Sequence, residues 1–223
     1  MNRFCVLIIA TSIIASSEAI KGWDGIQAVT AADFQCLAEN GFEFYVGRVW
    51  TQDGEPSTAG ITNIKAAREA GIKTVDGYMW PCTGDGCATA SEQLDAAINF
   101  VSEQGTTINR IWIDIEEPGS WWEDKTQNQN FIMELLKRAD EIKATTGVYT
   151  SSSKWNEIVG PDFTGASAYP LWYALWDDNE SFEGFEGFGG WTTPTMHQFE
   201  GSPNGEVNGP CGVAMDKNFR ETL

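Results

Sequence analysis

Histidine is almost missing from this chain: His197 is the only one in 223 residues. A Ser-His-Asp triad would have to pass through it, and no Gly-x-Ser-x-Gly nucleophile elbow is present. A multi-histidine metal site is excluded, so no metal is expected. His197 lies inside a short apolar run and reads as packed core. There is no Gly-x-x-x-x-Gly-Lys phosphate loop, and no cofactor is expected. Positive charge is scarce as well, with 14 Lys and Arg against 32 Asp and Glu and a net charge of −18. Such a surface repels nucleic acid and anionic membrane, so neither is an expected partner. It also works against adhesion to anionic cell walls at neutral pH, unless the protein acts in acid.

Long apolar runs are confined to the N-terminus. Arg3 precedes an apolar stretch over residues 5–14, and Ser17-Glu18-Ala19 supplies a small-x-small cleavage pattern. Residues 1–19 read as a secretory signal cut after Ala19. The competing reading is a membrane anchor, but the run is short for a bilayer span. The mature chain, residues 20–223, is expected as one extracellular domain, in a gut lumen, a lysosome-like compartment or free outside the cell. No membrane association is expected after cleavage, and a monomer is expected.

Removing the signal removes Cys5 and leaves Cys36, Cys82, Cys87 and Cys211. An even count in a secreted chain suggests two disulfides, with three connectivities open. Thr83-Gly84-Asp85-Gly86 can turn tightly enough for Cys82 and Cys87 to pair. Cys36 and Cys211 would then tie the first helix to the last strand. A four-cysteine zinc site competes, but only one Cys-x4-Cys spacing suits ligands.

Short apolar runs alternate with amphipathic stretches. Strands are expected at residues 22–26, 44–49, 72–79, 108–115 and 147–150. Helices fall between them at residues 30–40, capped by Thr30, at 62–70, at 91–104, capped by Ser91, and at 126–143, with a short one at 155–159. Three further strands follow without helices, at residues 171–176, 195–199 and 212–215. Residues 177–190 read as a loop that holds the sequon Asn179-Glu180-Ser181 for N-glycosylation. Five β/α units and three plain strands make a TIM-like (β/α)5(β)3 barrel, an α/β single domain. The alternation suits parallel pairing.

The chemistry gathers at Arg110-Ile111-Trp112-Ile113-Asp114-Ile115-Glu116, an apolar strand ending in two acids spaced i, i+2. Strand side chains alternate faces, so Asp114 and Glu116 point the same way, about 6.6–7 Å apart along the strand. They lie at the C-terminal strand end, where β/α barrels carry their sites. Like charges that close push one pKa upward, leaving one group protonated and the other ionised. Glycoside hydrolysis needs that combination. The bland alternative is a strand end carrying ordinary surface acids. Asp24, in the first strand, and Asp216, after the last, would join the pair, because first and last strands are neighbours in a closed barrel. Taken singly, each is more often a turn residue.

These motifs resemble glycoside hydrolase family 25, the Chalaropsis-type lysozymes, over nearly the whole mature chain. The matching segments are Gly22-Trp23-Asp24, Gly77-Tyr78-Met79-Trp80, Trp112 to Glu116, Gly147-Val148-Tyr149-Thr150, Leu171-Trp172-Tyr173-Ala174, His197-Gln198-Phe199 and Asp216-Lys217-Asn218. Phe34-Gln35-Cys36-Leu37 and Pro210-Cys211-Gly212-Val213 look like the branch found in nematodes and protists. The resemblance implies a muramidase that cuts the β-1,4 bonds of peptidoglycan glycan strands, in digestion or antibacterial defence. It implies Glu116 as acid and then base. Asp114 would act on the 2-acetamido group or the cationic intermediate, and Asp24 and Asp216 would orient hydroxyls and tune the pair. Tyr78, Trp80, Tyr149, Trp172 and Gln198 are the implied sugar contacts. The family's strand three usually reads Tyr-His-Phe and its strand seven Trp-Gln, which puts subsite preference in question. Family-18 chitinases share the terminal Asp-x-Glu but carry further Asp residues upstream, where this chain has Arg110 and Trp112. A secreted sugar-binding protein without turnover is the reading from another class.

Overall fold

The computed structural model describes residues 19–202 and 208–221. The leader expected over residues 1–19 therefore lies, apart from Ala19, outside the described residues. Eight strands close into a barrel in sequence order: β1 (Ala19–Asp24), β2 (Phe42–Trp50), β3 (Thr74–Met79), β4 (Ile111–Asp114), β5 (Thr146–Thr150), β6 (Leu171–Ala174), β7 (Met196–Glu200) and β8 (Asp216–Glu221). Helices α1 (Ala31–Glu39), α2 (Thr58–Glu69), α3 (Ala90–Glu103), α4 (Lys125–Glu141) and α5 (Ser152–Ile158) follow the first five strands in alternation. None of these helices is long and apolar enough to cross a membrane.

Local chemistry sets the helix starts. Thr30 and Asp33 form a reciprocal capping box on α1, and Thr89 and Glu92 form another on α3. The cap of α3 is thus Thr89 rather than the expected Ser91, because only Thr89 has a glutamate three residues on. Helix α2 begins four residues before the expected start, where Ser57 accepts from the Gly60 amide. Asp124 caps α4 in the same way.

The two strand faces build two cores. Outward residues such as Ile111, Ile113, Ile115, Val148 and Leu171 pack against the helices. Inward residues Phe44, Val46, Trp112, Tyr149, Trp172 and Met196 fill the barrel. Rings of this size fit because glycines face them. A Cβ on Gly22 would lie 2.4 Å from the Phe44 ring, and one on Gly147 would lie 2.4 Å from the Trp112 ring. At the N-terminal end Arg110 and Arg220 stack over Trp112 and Phe44 at 4.9 and 4.7 Å, beside the buried Asp76.

The last strand departs from the sequence reading in place and in direction. Residues 212–215 are not a strand. Pro210–Gly212 form a 3-10 turn, with Cys211 and Gly212 both in left-handed conformation. Proline lacks the amide for a ladder and left-handed residues break extension, so apart from a single bridge between Ala214 and Asn208 the strand begins only at Asp216. Strand β8 then runs antiparallel to both β1 and β7, which makes the barrel mixed rather than all parallel. Among the described residues no α-helix covers β6–β8. The loop read at residues 177–190 covers them instead, with Phe182 against Phe219 at 4.9 Å and Phe185 against Tyr173 at 4.8 Å.

Both disulfides form, Cys36–Cys211 and Cys82–Cys87. The first ties α1 to the 3-10 turn ahead of β8, not to a strand. The sequence separations are 175 and 5 residues. If the bridges act by restricting the unfolded chain, Cys36→Ala/Cys211→Ala should cost about 5 kcal/mol and Cys82→Ala/Cys87→Ala about 2 kcal/mol. Equilibrium urea unfolding of the two double variants measures the difference. Equal losses would contradict this ranking.

Candidate active site

The closure of β1 on β8 positions the first two acids. Asp24 ends β1 and Asp216 opens β8, and the two are direct partners in the antiparallel register. Because β8 runs backwards, its start lies at the same barrel mouth as the ends of the parallel strands. Asp114 is the last residue of β4, opposite Tyr149 on β5. Glu116 follows two residues on, with the Ile115 amide still bonded to the Tyr149 carbonyl at 2.9 Å. Asp24, Asp114, Glu116 and Asp216 all line one cleft of about 370 Å³.

The four acids differ in surroundings. Asp24 is buried, and its Oδ1 accepts from Gln198 Nε2 at 2.9 Å and Asn218 Nδ2 at 2.6 Å. Burial, followed by the neighbouring Asp216 charge, holds its pKa well above the carboxylate range despite those donors. Asp114 is 2% exposed, and its Oδ1 has no hydrogen-bond partner among the described residues. Burial raises its pKa strongly, and the charges of Glu116, Asp24 and Glu117 add to this against the opposing Arg48. Glu116 is pushed up to about 7, first by burial and then by Glu117, with Lys154 opposing. Asp216 is pushed up to about 6 by burial and by Glu200, against a hydrogen bond from the Ser202 backbone. Burial is the largest single cause at every one of these groups.

The expected sugar contacts divide by position. Tyr78 and Trp80 are half-buried on the cleft wall. Tyr149 and Trp172 are buried in its floor, 4.4 Å apart, and their polar tips are engaged. The Tyr149 hydroxyl donates to Gln198 Oε1 at 2.8 Å, and the Trp172 indole donates to Asn218 Oδ1 at 2.8 Å. Gln198 thus joins Tyr149 to Asp24 while lining the cleft. His197 faces away, on the outer side of β7. It is buried against Tyr173 at 4.2 Å, with its ring nitrogens 2.8 Å from the Ser181 and Leu175 carbonyls. Asn179 of the sequon is half-buried and donates to the Glu183 carbonyl at 3.0 Å. Among the described residues no cluster of His, Cys, Asp or Glu is arranged to hold a metal.

Three cleft features escape the sequence reading. Trp176 is 45% exposed on the cleft rim, and its indole donates to Gln198 Oε1 at 3.0 Å. Trp172, Ala174 and Trp176 alternate toward the cleft, and that period-two signal was available. Ile26 is a second exposed apolar side chain on the cleft rim, at 48%. Asn218 is fully buried and braces Asp24.

A closed β/α barrel whose mouth gathers desolvated carboxyls among aromatic rings fits the glycoside hydrolase class. A family model described as Lysozyme-like protein 1 matches residues 15–199. Lysozyme-like protein 5 of Caenorhabditis elegans is 35% identical over 98% of this chain and 99% of its own. Probable GH family 25 lysozyme 4 of Dictyostelium discoideum is 36% identical over 98% and 99%. The family GH25 lysozyme of Aspergillus fumigatus shares the fold, with a TM-score of 0.70 at 17% identity over 92% of this chain and 95% of that one. The chain belongs to the lysozyme-like proteins of glycoside hydrolase family 25.

The raised carboxyl groups make stability depend on pH. A carboxyl whose folded pKa lies above its unfolded value, near 4, stabilises the fold while protonated. That contribution is present below about pH 4 and is lost as pH rises through about 6 for Asp216 and about 7 for Glu116. Glu116→Gln should therefore raise the melting temperature relative to wild type at pH 8, and the gain should vanish at pH 4. Calorimetry at both pH values tests this, and a gain independent of pH would refute it.

Proposed function

We propose that this protein is a secreted lysozyme that hydrolyses the β-1,4 bond between N-acetylmuramic acid and N-acetylglucosamine in bacterial peptidoglycan. The observation that carries the reading is the convergence of Asp24, Asp114, Glu116 and Asp216 on one cleft, where burial pushes the Glu116 carboxyl up to about 7. A carboxylic acid protonated near neutrality can give its proton to the glycosidic oxygen as the bond breaks. The resulting carboxylate then takes a proton from the water that completes hydrolysis. Asp114 stabilises the positive charge that develops on the sugar, directly or through the 2-acetamido group. Asp24 and Asp216 orient sugar hydroxyls, with Asp24 fixed by the Gln198 and Asn218 amides. Tyr78, Trp80 and the rim indole of Trp176 offer ring faces to the glycan. The disulfides accord with export through an oxidising compartment, and the protein acts alone as a monomer.

Clearing of a bacterial cell-wall suspension, followed across pH, tests the reading. Wild type should clear walls best in acid, and kcat/KM should fall about tenfold per pH unit above about 7, as Glu116 loses its proton. Glu116→Gln should lose about 10²- to 10⁴-fold in activity at pH 5. Equal clearing by both proteins would remove Glu116 from the mechanism. Wall binding without clearing by the wild type would replace catalysis with sugar recognition.

A further inference from the structure

The residue after the acid is itself a glutamate, and the backbone treats it unusually. Glu117 has φ 48° and ψ 75°, one of four non-glycine residues in left-handed conformation among the described residues. L-residues avoid that region unless the surrounding structure imposes it. Here it does. The Ser120 amide and hydroxyl both donate to the Glu117 carbonyl at 2.8 Å. The Trp121 indole donates to the Glu116 carbonyl at 2.9 Å, and the Thr83 hydroxyl donates to the Ser120 carbonyl from the loop closed by Cys82–Cys87.

The turn has a geometric consequence. Strand alternation continued beyond Glu116 would point residue 117 away from the cleft. With the left-handed turn, Glu117 lines the cleft together with Glu116. Its Oε1 lies 3.4 Å from Lys154 Nζ on α5. An exposed pair of this kind contributes little to stability, so stability does not explain a strained backbone that delivers it to the cleft.

We propose that Glu117, turned into the cleft by its left-handed backbone and facing Lys154, is a positioning residue that acts on the neighbouring acid Glu116 through its carboxylate charge. The other groups facing Glu116 are Asp114 on its own segment, Asp216 from β8, Asp24 from β1 and the Tyr149 hydroxyl from β5. Asp114 and Asp24 are buried, and burial raises the pKa of both. Glu117 stands in water at 59% side-chain exposure, paired with a cation. It therefore brings a solvent-facing carboxyl to the cleft beside the acid, with the Lys154 ammonium 3.4 Å from it. In the balance on Glu116, Glu117 is the largest contribution after burial and Lys154 is the next, with opposite sign.

This inference rests on the lysozyme reading, and its test separates the two. The midpoint of Glu116 is measured by carboxyl-carbon NMR titration of the free protein, with the resonance assigned by its loss in Glu116→Gln. The alkaline limb of kcat/KM on cell walls is measured in parallel. Glu117→Gln removes a negative neighbour and should move both midpoints down by about half to one pH unit. Lys154→Met removes a positive neighbour and should move both up by a similar amount, and Glu117→Asp should restore the wild-type midpoint. A profile lowered throughout with its midpoint unmoved would mean a structural role only and would overturn the proposal. Shifts of the same sign in Glu117→Gln and Lys154→Met would overturn it as well. Wild type that clears no walls at any pH would sink the lysozyme reading, while the NMR shifts would still decide the role of Glu117.

Discussion

Desolvation of carboxyl groups at the barrel mouth is the constraint on which the rest of this structure turns. A charged carboxylate removed from water is costly unless it is paired or hydrogen-bonded, and the usual escape is to keep the proton. Four acids meet that cost in different ways. Asp24 takes two amide donors, and Asp114 takes none at Oδ1. The Lys154 charge opposes the rise at Glu116, and Asp216 accepts from the Ser202 backbone. One functional group in four environments has its pKa raised in every case, to about 7 at Glu116 and about 6 at Asp216, and acid catalysis requires a carboxyl that keeps its proton.

The scaffold holds those environments in place through polar bonds hidden beneath the cleft. Gln198 ties Tyr149 and Trp176 to Asp24, and Asn218 ties Trp172 to the same carboxylate. The rings that form the floor are thereby coupled to the acid cluster above them. Two further rings inside the barrel, Phe44 and Trp112, fit because Gly22 and Gly147 leave room for them. Where the last three strands lack helices, the phenylalanines of the loop after β6 cover the barrel wall. His197 holds that loop through two carbonyls, which gives the single histidine a packing role on the far side of the wall from the cleft.

Much of this was legible along the chain because it obeys local periods. The alternation over residues 110–116 placed Asp114 and Glu116 on one face, and the succession of apolar runs implied eight strands. Helix starts were less legible. Ser91 and Thr89 are both plausible caps, and the choice falls to Thr89 through a side-chain contact with Glu92. Trp176 was read as the tail of a strand, yet β6 stops at Ala174 and the indole swings to the rim. Asp216 was placed at the right barrel end for a different reason. It does not trail a parallel strand but opens an antiparallel one, and that reversal brings it opposite Asp24.

The chain by itself determined what depends on neighbours a few residues apart: strand faces, helix caps, the acid pair, and the tight turn between Cys82 and Cys87. Only the tertiary structure decided the direction of β8, the amide donors on Asp24 and the left-handed turn at Glu117. Each depends on segments far apart in sequence: β1 and β7 beside β8, Asn218 on Asp24, and Thr83 on the Ser120 carbonyl that closes the turn. The proton affinities were decided there too, because burial is a property of the closed barrel and not of any stretch of its sequence.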